Sequence, residues 1–169
     1  MEEFATLEKA YGLFQSINCV GNENCIFTTF KNTNREGMKY GAMGAVGGLV
    51  GAAIGAAAQG NSITGDYDGF LINCTENGLG LIPLNNKGVA LTLTPSKMVA
   101  NPQNATFIPY NNIDSILVKN FNIFNSKVKT VNITIKNAGT LYLLGHVTEK
   151  LIPYQETEFA KFIAKYQKK

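Results

Sequence analysis

The sequence predicts a mainly β protein: a curled antiparallel sheet or barrel of about seven strands with a C-terminal capping helix, plus an N-terminal helix and a glycine-rich helix. Three observations carry this reading. From Asp66 onward, short β-branched and aromatic runs recur between turn signals. The last of them is followed by a segment with helical period. Before them, residues 40–65 hold no charged side chain and a regular stripe of glycines.

Each element can be justified in order. Phe4, Leu7, Tyr11, Phe14 and Ile17 share one helical face, with Glu2, Glu3 and Glu8 at its positive end. This spacing predicts a packing helix over 4–17. Residues 25–31 (Cys-Ile-Phe-Thr-Thr-Phe-Lys) read as a short strand. Strands are expected at 68–74, 79–84, 89–94, 114–121, 130–137 and 140–145, with an extended stretch near 107–110. Thr75-Glu76-Asn77-Gly78 supplies an Asn-Gly hairpin signal, and Asn137-Ala138-Gly139 another turn. Val131, Ile133 and Ile135 alternate with Asn132, Thr134 and Lys136, the pattern of a half-buried strand. Pro153 opens the last helix, whose stripe is Phe159, Phe162, Ile163 and Tyr166. The chain thus divides into 1–35 (helix and a first strand), 36–65 (glycine-rich helix and loop) and 66–169 (barrel and capping helix). Whether 25–31 joins the barrel is left open by the sequence.

At 169 residues the chain suits one domain with a modest attachment. With 45% hydrophobic and 16% charged residues it is not a disordered chain. A net charge of +3 with no tryptophan gives no footprint for nucleic acid. Cys19, Cys25 and Cys74 are odd in number and irregular in spacing, which predicts reduced thiols in a reducing compartment. The N-terminus has no basic and apolar leader pattern. The expected location is the cytoplasm, peripheral at or anchored to the inner membrane.

Phe107-Ile108-Pro109-Tyr110-Asn111-Asn112-Ile113-Asp114-Ser115-Ile116 resembles the IPY-x-x-I-x-x-I lead-in to a strand of bacterial pleckstrin-homology-like and GRAM-like domains. Asp68-Gly69-Phe70-Leu71-Ile72-Asn73 is similar to their opening hairpin, and 130–140 with the helix at 153–168 follows in the family's order. The resemblance covers roughly 66–168. It implies a binding or interaction module with no enzymatic activity. Members that bind phosphoinositides use a basic loop between the first two strands, and here the corresponding stretch is almost free of charge.

Gly37, Gly41, Gly44, Gly48, Gly51 and Gly55 step by 4, 3, 4, 3 and 4, so all six fall on one helical face. Each glycine costs a water-exposed helix about 1 kcal/mol relative to alanine. The stripe makes sense where a second backbone approaches closely or lipid enforces backbone hydrogen bonding. It resembles the glycine-zipper segments of bacterial membrane-associated proteins. A helix over 40–59 would reach about 30 Å, the thickness of a bilayer core. Its strongly apolar residues (Val46, Leu49, Val50 and Ile54) supply only about −2 kcal/mol of insertion energy. If 25–31 and 68–74 pair in one sheet, a single membrane crossing between them is impossible.

No nucleophile–base arrangement, phosphate-binding loop or metal-ligand spacing is present in the sequence, so no catalytic, metal or cofactor site is expected. Lys119, Lys127, Lys129 and Lys136 lie between Asp114 and Glu149 with no acid among them. They are the candidate contacts for anionic lipid, worth about 1 kcal/mol each near a membrane surface. The expected function is a non-enzymatic module that associates with a membrane surface, or self-associates through the glycine stripe, its partners being itself, another protein or membrane lipid. The alternative is a soluble cytoplasmic homo-oligomer with glycine-packed helices.

Overall fold

In a computed structural model, residues 3–19, 21, 24–30, 67–87 and 94–167 are described. The element order is α1 (Leu7–Gln15), β1 (Asn24–Phe30), β2 (Gly69–Cys74), β3 (Gly78–Asn86), β4 (Met98–Ala100), β5 (Thr106–Pro109), β6 (Ile113–Asn122), β7 (Asn125–Ile135), β8 (Gly139–His146) and α2 (Gln155–Tyr166). The strand expected at 89–94 and the whole glycine stripe fall outside the described residues, apart from Thr94.

The eight strands form one antiparallel sheet in the order β4-β3-β2-β1-β8-β7-β6, with β5 also paired to β3. Among the described residues the sheet does not close, which corrects the barrel expectation. The outer strands are β6 at one end and β4 and β5 at the other, and no ladder joins them. One strand lies where the sequence reading places none: Met98–Ala100 pairs with Leu84–Asn86. Pro83, which has no N–H to donate, sits where β3 changes partner from β5 to β4.

β1 is a central strand. It pairs with β2 along Asn24–Thr29 and with β8 at Thr29 and Phe30. Its seven residues are all buried, as are all six of β2. The cause is a layer on each face. Toward one side, Phe27, Leu71, Ile82 and Leu84 pack with Phe4, Ala10, Phe14 and Ile17 of the N-terminal segment and α1. Toward the other, Ile26, Phe30, Phe70 and Ile72 meet Val118, Val131, Leu143 and the α2 residues Phe159 and Phe162. Fully burying one such Phe, Leu or Ile side chain is worth about 1.5–3 kcal/mol. β7 behaves as its alternation predicts, with Val131, Ile133 and Ile135 inward and Asn132 and Thr134 half-buried.

Thr6 caps α1, its hydroxyl accepting from the Lys9 N–H. Glu156 and Glu158 sit in the first turn of α2 and Lys165 in its last, each favourable to the helix dipole. Tyr154 donates to the Phe4 carbonyl at 3.0 Å, tying the start of α2 to the start of the chain.

Candidate functional site

Three features of the described surface bear on function: the corner from which residues 31–66 depart, the β6–β7 hairpin, and the seam between α2 and β1.

Phe30 ends β1 and its N–H donates to the Asp68 carbonyl at 3.0 Å. Asp68 immediately precedes β2, and its own N–H donates to Leu84 while its carboxylate accepts from the Asn86 N–H. The two ends of the glycine-bearing stretch are therefore held one hydrogen bond apart. β1 and β2 pair along Asn24–Thr29, the condition under which the sequence reading excludes a single membrane crossing between them. Among the described residues, no helix is long and apolar enough to cross a membrane. Gly37, Gly41, Gly44, Gly48, Gly51 and Gly55 themselves lie outside the described residues.

The four candidate lysines do not form one patch. Lys119, Lys127 and Lys129 belong to the β6–β7 hairpin, near its turn. Lys136 follows the far end of β7, where its N–H donates to the Asn112 carbonyl. From Lys129 to Lys136 is seven residues, about 23 Å of strand at roughly 3.3 Å per residue. Lys119 and Lys127 are exposed, whereas Lys129 is buried and its ammonium donates to Asn120 Oδ1 at 2.6 Å.

The sequence reading ends one strand at 121, begins the next at 130 and sets Lys127 and Lys129 on the turn between them; the structure places both lysines in β7 and the turn at Ile123 and Phe124. Asn122 pairs with Asn125, leaving Ile123 and Phe124 as the two turn residues. Each asparagine braces the turn with its side chain: Asn122 Oδ1 accepts from the Phe124 N–H and Asn125 Oδ1 from the Lys127 N–H, both at 3.0 Å. The apolar residues project outward, with Phe121 44%, Ile123 87% and Phe124 92% exposed. The sequence signal was present in Phe-Asn-Ile-Phe-Asn: two asparagines bracketing two residues between strand-like runs.

The seam is a polar cluster inside the molecule. The Glu158 carboxylate accepts from Asn24 Nδ2 at 2.9 Å and from the Cys25 N–H at 3.2 Å, and Lys161 pairs with it at 2.6 Å. Beside it lies a cavity of about 130 Å³ lined by Asn24, Cys74, Lys161, Phe162 and Lys165. That is well below the roughly 300–1,000 Å³ of small-molecule sites. Cys19, Cys25 and Cys74 are buried. Burial pushes the Cys25 thiol well above its ordinary range, and Cys74 and Glu158 add to the rise. Such a thiol is a poor nucleophile. Among the described residues no three His, Cys, Asp or Glu side chains group as metal donors.

In comparisons with known proteins, no family model, curated protein or solved structure matches this chain.

Proposed function

We propose that the chain is a non-enzymatic, pleckstrin-homology-like interaction module working at a membrane surface, with the glycine stripe as its element of close backbone contact. The pinned corner carries this reading. A folded sheet holds, at Phe30 and Asp68, both ends of the segment that contains the uncharged run 40–65, so the segment is an accessory of the module rather than a tether between two bodies. Six glycines on one helical face suit close approach to a second backbone, either another copy or an element seated in lipid. The family relationship is supported by the order of strands followed by a helix. It is also supported by the Ile108-Pro109-Tyr110 segment, which leaves β5 through a short turn into β6.

Gly48→Leu tests the reading by placing a bulky side chain on the stripe. The expected result is a lower assembled mass by light scattering, or lower recovery with membranes, at unchanged circular dichroism. Loss of assembly with no membrane recovery in either protein would favour the soluble homo-oligomer. No change in either measurement would contradict the stripe as an interface.

A further inference from the structure

We infer that the β6–β7 hairpin is a membrane-contact wedge whose apolar apex, Phe121, Ile123 and Phe124, enters the interface of an anionic bilayer. The inference rests on the reading of a membrane-surface module, but not on the glycine stripe: the strand register puts the hairpin turn at the strand ends opposite those where Phe30 leaves β1.

The register gives that separation. Asp68, Phe30, Leu143, Val131 and Val118 stand in one row across β2, β1, β8, β7 and β6. From this row β1 runs out toward residue 31 in one direction. β7 reaches Asn125 six residues away in the other, about 20 Å of strand at roughly 3.3 Å per residue. The wedge and the root of the glycine stretch therefore point to different ends of the strands.

The hairpin projects. β8 last pairs with β7 at Val128 and His146, and one further bond joins the Val147 N–H to the Lys127 carbonyl. Beyond that point, among the described residues, the two strands pair only with each other. Between the pairs Asn120–Lys129 and Asn122–Asn125 the ladder is irregular, with Phe121 standing opposite Ser126, Lys127 and Val128 of β7. Convex projections suit insertion, whereas a protein partner is usually met by a groove or a flat face.

The turn chemistry is unusual. Two-residue hairpin turns favour Asn-Gly or Asp-Gly, with positive φ. Here the positions hold Ile123 and Phe124, and neither takes positive φ. Large apolar residues at the most exposed point of a fold, where polar ones would serve local structure better, mark a contact surface.

The charge distribution selects lipid. Val118 and Val131 face the core, so the alternation sends Lys119 to the outer face of the hairpin and puts Lys127 and Lys129 on the other. Basic residues thus flank the apex on both faces, and the nearest acids in sequence are Asp114 and Glu149. Headgroups around an inserted wedge would meet Lys119 and Lys127, while the bond from Lys129 to Asn120 stiffens the stem. A protein groove would cover one face and leave the other lysines unused.

The test uses the full chain, which has no tryptophan, so Phe124→Trp reports the apex alone. Vesicles of phosphatidylcholine, and of phosphatidylcholine mixed equally with phosphatidylglycerol, are the probes. The expected result is a blue shift of the tryptophan with the anionic vesicles. The Ile123→Ser/Phe124→Ser variant should lose at least about tenfold in partitioning, and Lys119→Ala or Lys127→Ala roughly fivefold each on anionic vesicles only. Equal partitioning of the wild type and the double serine variant would overturn the wedge while leaving membrane association standing. A shift that appears without vesicles and grows with protein concentration would assign the apex to a second copy and overturn the lipid assignment. Absence of any vesicle binding by the wild type would overturn both.

Discussion

Gln155 completes the backbone of Phe27 in both directions. The Phe27 N–H donates to Gln155 Oε1 at 2.8 Å, and Gln155 Nε2 donates to the Phe27 carbonyl at 2.9 Å and to the His146 carbonyl at 3.0 Å. Among the described residues β1 and β8 pair only at Thr29 and Phe30, and no other strand lies beside the rest of that edge of β1. The first turn of α2 fills the gap: Gln155 serves Phe27 as a peptide group would, and Glu158 serves Cys25. Gln155→Ala leaves the buried Phe27 groups unpaired, each costing about 1–3 kcal/mol. Urea denaturation should show a loss of about 3 kcal/mol. A loss below about 1 kcal/mol would mean that the seam is not a structural joint.

The docking of α2 also depends on Gly145. A side chain there would meet the Phe159 ring, which is buried in the core. Gly145→Ala should destabilise by about 1–3 kcal/mol through overpacking. Adding Phe159→Leu should then cost less than it does in the wild-type background, because the shorter side chain relieves the clash. Equilibrium denaturation of the four proteins in that cycle measures the coupling directly.

The partly buried phenols predict alkaline sensitivity. Burial raises the hydroxyls of Tyr154, Tyr110 and Tyr11 above their ordinary value of 10.0. The Cys25 thiol is raised likewise above 9.0. The unfolded chain releases these protons at ordinary values while the folded chain retains them. Their contribution is therefore full below pH 9 and is lost as pH rises through 9 and 10 toward the higher folded values. Thermal melts should show Tm falling steeply above pH 10. Tyr154→Phe, which also loses the bond to Phe4, should start lower and fall less steeply.

Much of the fold was legible because it is written in local period. Val131, Ile133 and Ile135 gave β7, and Phe159, Phe162 and Tyr166 gave α2. The central place of β1 was not legible, because its partner Leu143 lies far along the chain and Cys25–Phe30 is buried on both faces by α1 and α2, helices whose docking on this strand no local pattern reveals. Gly78 shows a right location with a different cause. Its turn was read from Asn77-Gly78, yet Thr75 closes it, its N–H and its hydroxyl both donating to the Gly78 carbonyl. A side chain at 78 would meet the backbone of Ile108 and Pro109 on β5. The lysines were seen as a charge pattern, but their division between the hairpin and the far turn is a property of register. The apex of Ile123 and Phe124 went unread because apolar residues between strand-like runs look like more strand.

A shortened chain checks that the glycine stretch is an accessory. Removing 41–58 leaves Phe30 and Asp68 to be joined by the remaining residues, and lengthening or shortening such a loop changes its closure cost only slowly. The far-ultraviolet spectrum and the cooperative melt should be retained, with Tm within a few degrees of the full chain. Loss of cooperative unfolding would show that the stretch is part of the core.

The most direct test of the account is flotation of the full chain with anionic and neutral liposomes beside the chain lacking 41–58 and the Ile123→Ser/Phe124→Ser variant. The account predicts that the full chain floats with anionic liposomes, and that each altered chain, still folded, floats less. A full chain that stays at the bottom of the gradient with both kinds of liposome would contradict a module that works at a membrane surface.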